Sequence, residues 1–304
     1  MNEKVVNRSK LLLILSTFLF GTIGIFRKFI PLPSSLIALA RGVIGMLFLL
    51  MVVFIKKDKL SWNAIRRNLL FLCLSGAMIG INWILLFEAY RYTTVATATL
   101  CYYMAPMFVI LVSPLFFKEK LTGKKILCVA VALIGMVFVS GILQTGFTGI
   151  GDLTGILLGL GAALLYAGIV ILNMNIKNVS AYDKTIVQLA VAAVILLPYT
   201  LLSENLAQLT FSPLTIVMLI ILGALQTGIG YALYFGSIEH LRTQTVALLS
   251  YIDPVVAILL SAVFLREQLT LWGVVGAILV LGSTLISELP IGEKKQINAD
   301  TPII

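Results

Sequence analysis

The chain has 304 residues, of which 60% are hydrophobic and 12% charged, with a mean hydropathy of +1.07. Soluble domains carry about 25% charged residues to cover a watery surface, so this composition excludes a cytosolic enzyme, a disulfide scaffold and a disordered protein, and leaves an integral membrane protein. The 22 Lys and Arg against 13 Asp and Glu give a formal charge of +9, an excess that in a membrane chain gathers in cytoplasmic loops and requires no nucleic-acid partner.

A helix needs about 20 apolar residues to cross about 30 Å of hydrocarbon, and ten stretches qualify. The first, Leu11 to Phe26, follows Lys4, Arg8 and Lys10 as a signal peptide would. Arg27 and Lys28 stand where a cleavage site of small residues belongs, so it is expected to stay as a span. The others are Pro33 to Ile55, Leu69 to Phe87, Val95 to Phe117, Ile126 to Leu143, Leu153 to Ile176, Ile186 to Leu202, Pro213 to Ser237, Thr243 to Leu265 and Leu271 to Ile286. These unbroken runs are unlike the short alternating strands of a membrane barrel, and the fold class expected is all-α integral membrane.

With the N-terminus inside, seventeen of the 22 basic residues fall on the inner side, Lys59, Lys124 and Lys184 among them. The outer loops hold Arg27, Lys28, Arg91 and Arg266, while Arg41 lies within the second span. This asymmetry puts both termini in the cytoplasm. Cys73, Cys101 and Cys128 sit in apolar runs, where a thiol is a small hydrophobe, and no spacing suggests a metal site. No metal or cofactor is expected.

Shifting the chain by 148 residues aligns Phe87 to Thr122 with Phe235 to Thr270, giving twelve identities in 36 positions. Tyr103 meets Tyr251, Pro106 meets Pro254, and FFKEKLT (Phe116 to Thr122) meets FLREQLT (Phe264 to Thr270). Five spans per half is an odd number, so the copies must cross the membrane in opposite senses. The expected organisation is ten transmembrane helices in two inverted five-helix repeats, residues 1–146 and 147–290, followed by a short cytoplasmic tail, 291–304. Inverted repeats can exchange conformations and expose a central site to either face in turn.

On these residues the chain resembles the drug/metabolite transporter superfamily, in particular its EamA type. The shared marks are Phe20-Gly21 late in span one, Arg41 early in span two, Pro106 and Asp253-Pro254 within spans four and nine, and a Glu-x-Leu-Thr after each. The resemblance covers about residues 10 to 288. It implies a secondary carrier of small metabolites, with spans one to four and six to nine around a central cavity and spans five and ten peripheral. Where the family often has Trp-Gly in span one and a Lys soon after, this chain has Phe20 and, nearer the outer end, Arg27-Lys28.

An ionisable residue within a span costs roughly 2.5 to 3.5 kcal/mol on insertion scales, so it marks a functional position by default. Arg41, about 12 Å below the outer end at 1.5 Å per residue, either snorkels to the headgroups or faces a cavity, where it binds a substrate carboxylate or pairs with Asp253. Asp253, near the midplane, is too short to snorkel. Pro254 and Pro106 are expected to kink spans nine and four by freeing the carbonyls of Ser250 and Tyr102. Asn82, Trp83, Tyr102, Tyr103, Gln188, Gln226 and Tyr231 complete the candidate substrate-binding set, with helix-end interfacial anchoring as the alternative for part of it.

The chain lacks GxxxxGK[ST], HExxH and GxSxG, so a pump that carries its own ATPase and an intramembrane hydrolase are not expected. The reading is a secondary transporter, not an enzyme, that exports amino acids or related small metabolites across a bacterial plasma membrane as a monomer or homodimer. The alternatives are an uptake carrier or drug exporter of the same fold, and a membrane-embedded transferase acting on lipid-linked substrates.

Overall fold

The structure is a computed structural model and describes residues 3–93, 98, 101–117, 121–139, 150–205, 209–265 and 271–288. These residues are helical, with no strand among them. Helices α1 (Glu3–Gly21) and α2 (Ile23–Lys28) together cover the first span, followed by α3 (Ser34–Ile55) and the long α4 (Trp62–Tyr92). Next come α5 (Ala105–Phe117), α6 (Gly123–Val139), α7 (Ile150–Asn175) and α8 (Ala181–Ser203). Then α9 (Pro213–Ile221) runs through a π-helical segment (Leu222–Ile229) into α10 (Gly230–Ile238), and α11 (Thr243–Leu249), α12 (Ile252–Leu265) and α13 (Leu271–Glu288) close the chain.

Among the described residues, six segments are long and apolar enough to cross a membrane: Glu3–Arg27, Ser34–Ile55, Trp62–Tyr92, Leu153–Asn175, Ala181–Ser203 and Pro213–Ile238. Large apolar side chains such as Leu70, Phe54, Leu115 and Leu202 point outward, as they do where the surrounding solvent is hydrocarbon. The protein is a multi-pass membrane protein. Residues 118–120 and 266–270, which carry most of the FFKEKLT and FLREQLT pair, lie outside the described residues.

Local chemistry sets several helix ends. Ser180 accepts the Asp183 N–H at 3.0 Å to start α8, and Ser212 accepts the Thr215 N–H at 3.1 Å to start α9, with Pro213 at the position that needs no donor. Inside α5, Pro114 leaves the Ile110 carbonyl without its helical donor, and the Ser113 hydroxyl donates to that oxygen at 2.9 Å.

The kinks expected at Pro106 and Pro254 are full interruptions. The helix breaks at Tyr103-Met104 and again at Ser250-Tyr251, within one residue of the register of the 148-residue repeat, and each proline sits in the first turn of the helix that resumes. Asp253 is therefore helical, although a proline disfavours helical geometry in the residue before it. The turn that resolves the strain lies three residues earlier, where the Asp253 N–H reaches the Ser250 carbonyl at 3.4 Å. A first-turn proline costs little because its missing N–H has no intrahelical partner there.

One close approach joins α3 to the π-helical segment. A methyl group on Gly45 would lie 2.9 Å from the Gly223 carbonyl, whereas on neighbouring Gly42 the closest atom would be 3.7 Å away. Gly45→Ala is expected to lower stability by about 1–3 kcal/mol through overpacking, and Gly42→Ala to be nearly neutral. Thermal unfolding of the two variants in detergent measures the difference.

Candidate functional site

The breaks before Pro106 and Pro254 lie beside a cavity of about 300 Å³, a size that accommodates a small metabolite. Its walls come from Phe20 and Gly21 of α1, Ile23 and Gly24 of α2, Arg41 of α3, Trp83, Leu86, Phe87 and Tyr90 of α4, and Tyr166 of α7. Tyr231 of α10 and the broken spans, through Tyr102, Tyr103, Pro106, Ser250, Asp253 and Ala257, complete it. The cavity lies in the half of the bundle where α2 and α4 end and α3 begins. Gly21 makes part of this geometry possible, because a Cβ there would be 2.8 Å from the Asp253 carbonyl of α12.

Arg41 points into the bundle. Its Nε donates to Thr227 Oγ1 at 2.9 Å, and its guanidinium carbon lies 5.0 Å from the centre of the Trp83 ring. Thr227 in turn donates to the Leu222 carbonyl at 2.8 Å, a bond across the wide turn of the π-helical segment. One edge of the guanidinium is thereby fixed while its terminal nitrogens have no hydrogen-bond partner among the described residues. Asp253 stands on the cavity wall in the first turn of α12, where the helix dipole favours a carboxylate. Among the described residues it forms no ion pair with Arg41 or any other cation. The cavity thus presents one fixed cation and one carboxylate whose charges are not spent on each other.

Rings join these two groups. Tyr231 packs edge-on to Phe20 at 5.4 Å and lies 6.1 Å from Trp83, and Tyr102 lies 5.8 Å from Tyr166 and 6.1 Å from Tyr103. Such walls offer apolar faces with occasional hydroxyl tips, suited to amphipathic ligands.

Of the residues singled out from sequence, Arg41, Trp83, Tyr102, Tyr103, Pro106, Tyr231 and Asp253 line this cavity. Pro254 is buried behind Asp253. Three others are placed elsewhere. Asn82 is buried and donates to the Ala162 carbonyl, joining α4 to α7. Gln188 donates to Ser75 Oγ at 2.6 Å and to Asn173 Oδ1 at 2.8 Å, joining α8 to α4 and α7. Gln226 donates to Thr22 Oγ1 at 2.7 Å, joining the π-helical segment to the end of α1. Each ties helices together with a bond of its own, since a polar group in a membrane interior must find a partner.

Sequence reasoning left Phe20, Tyr90, Tyr166, Ser250 and Thr227 out of the candidate set. Tyr166 and Phe20 carried a signal, one in the row of mid-span tyrosines and the other beside Gly21. Thr227 carried none, because a threonine's value as the partner of Arg41 depends on the local π-helical winding.

The comparisons agree with this architecture. The EamA-like transporter family matches twice in succession, over residues 8–141 and 153–288. The chain is similar to the uncharacterized transporter YxxF of Bacillus subtilis, with 28% identity covering 90% of this chain and 88% of the relative. It is also similar to protein RarD of Salmonella typhi, with 24% identity covering 88% and 90%. A solved crystal structure shares the fold with a TM-score of 0.82, covering 93% of this chain and 96% of that one at 17% identity. The chain belongs to the EamA-like transporter family, within the drug/metabolite transporter superfamily.

Proposed function

We propose that this transporter is a secondary carrier that moves amino acids or related small metabolites out across the bacterial plasma membrane by alternating access. The observation that carries the reading is the pairing of Arg41 and Asp253 on one cavity without an ion pair between them, at the junction of two interrupted helices. Broken spans at matched positions are where carriers of this kind place their substrate. A ligand with both an acidic and a basic group would satisfy both residues.

Ten spans in two inverted halves remain the organisation proposed, and the packing supports it. The most extensive contacts between helices have counterparts when the halves are exchanged. Thus α4 packs on α7 as the last part of span eight, α10, packs on α1. Likewise α4 packs on α8 as the π-helical segment packs on α3, and α5 on α7 as α12 on α1. Spans five and ten, represented by α6 and α13, pack on each other. The double match to one family supports the same division.

Two experiments test the reading. Counterflow of labelled amino acids into preloaded proteoliposomes is expected to run with purified protein alone, and its absence across the substrate class would overturn the proposal. Orientation is checked by single cysteines and an impermeant maleimide on intact cells. Positions Glu204 and Gln144, the latter outside the described residues, are expected to be labelled, and Lys59 and Lys124 protected.

A further inference from the structure

Lys184 counts as an ordinary inner-side charge in the sequence, yet its side chain is 0% exposed. Its Nζ donates to the Ile176 carbonyl at 3.2 Å and the Asn173 carbonyl at 3.4 Å, capping the end of α7, and lies 3.3 Å from Glu239 Oε2. Glu239 follows the last residue of α10, and its other oxygen faces His240 Nε2 at 3.3 Å. Asn173 also receives Gln188, which reaches Ser75 of α4. A buried polar chain thus runs from α4 through α7 and α8, and Lys184–Glu239 is its link to the corner between α10 and α11.

That corner closes the end of the bundle opposite the cavity. Every residue of α11 is buried, as are Tyr234, Phe235, Ile238 and Leu241 before it and Tyr251 after it. The position that the 148-residue repeat relates to Glu239 is Arg91, at the cavity end. Arg91 is 69% exposed and, among the described residues, bonds one turn back along its own helix, to Glu88 at 3.1 Å, while Glu88 also accepts from Tyr199 of α8. The ion pair at the packed end joins two helices, whereas the ion pair at the cavity end lies within one.

From this arrangement we infer that Lys184–Glu239 is a latch holding the α10–α11 corner shut while the cavity faces the other side, and that it opens when the cavity changes sides. The inference rests on the alternating-access reading. A carboxylate facing a buried ammonium is a strong bond when made and leaves an expensive charge when broken, so it biases a two-state equilibrium and sets its rate of exchange. Lys184 keeps its two carbonyls in either state, which is why Glu239 is the partner that can leave.

Two reporters test the latch on a background with Cys73, Cys101 and Cys128 replaced by alanine. Thr245→Cys lies on buried α11, and Gly24→Cys lies on the cavity wall where an added side chain meets no atom within 4 Å. Glu239→Gln is expected to raise maleimide labelling at Thr245→Cys about tenfold and to slow it at Gly24→Cys, as a shift between two states requires. The pair Lys184→Met with Glu239→Gln removes the unpaired ammonium and is expected to give the same opposed changes. Unchanged rates in both variants, or rates that rise together at both reporters, would overturn the latch. Amino-acid counterflow by the Thr245→Cys protein with its ion pair intact separates the two ideas: if it runs while labelling ignores the latch, the latch alone fails, and if it is absent, the carrier reading fails with it.

Discussion

Arg41→Lys is expected to raise the substrate concentration for half-maximal transport about 10- to 100-fold, the equivalent of one lost charge-assisted bond of about 1.5–3 kcal/mol. The reason is geometric. Thr227 and the Trp83 face fix the guanidinium plane, so its terminal nitrogens can offer a carboxylate two parallel donors. An ammonium offers a point charge without that fork and is more strongly hydrated. Arg41→Ala is expected to lose transport altogether at normal membrane levels, and Thr227→Val to give an intermediate defect, because it removes the bond that orients the plane but not the charge. Concentration-dependent uptake in proteoliposomes, with the amount of folded protein measured alongside, checks the series. Wild-type transport by Arg41→Ala would remove the residue from the site.

Asp253→Asn is expected to have the other large effect, and its form distinguishes two roles. The carboxylate has no ion-pair partner among the described residues, faces the cavity, and sits in the first turn of a helix that begins at the break. If proton binding there drives transport, the neutral variant loses accumulation under an imposed pH gradient by roughly tenfold or more while retaining counterflow, since exchange needs no net proton movement. If the carboxylate only holds the basic group of the substrate, both activities fall together, and substrates lacking that group are spared. Although Arg41 and Asp253 do not touch, their opposite charges balance across one cavity, so removing either one leaves the other as a net charge in a site of low dielectric. The double variant Arg41→Gln with Asp253→Asn is therefore expected to fold at least as well as either single variant, which thermal unfolding in detergent checks.

The residues legible in the sequence were those whose chemistry is costly in a bilayer. Arg41 and Asp253 stood out because a charge within a span requires a reason, and Pro106 with Pro254 because matched prolines in a repeat mark matched breaks. Those four lie together, Pro254 just behind the cavity wall and the other three on it. Neutral polar residues were less legible. Asn82, Gln188 and Gln226 carry the same kind of side chain as a binding residue, but each is committed to a bond between helices. A one-dimensional pattern holds no information on whether an amide's partner is a substrate or the next helix.

Composition by itself determined that the solvent is a bilayer and the fold helical, because 12% charged residues cannot cover a watery surface and unbroken apolar runs satisfy their backbone only as helices. Tertiary structure decided the rest. It turned Lys184 from a surface charge into a buried one, since only the packing of α7, α8 and α10 closes over it. It placed Thr227 against Arg41, within a π-helical segment where its hydroxyl also donates to the Leu222 carbonyl five residues back. Sequence sets which groups must find partners in a membrane, and the three-dimensional approach of the helices sets which partners they find.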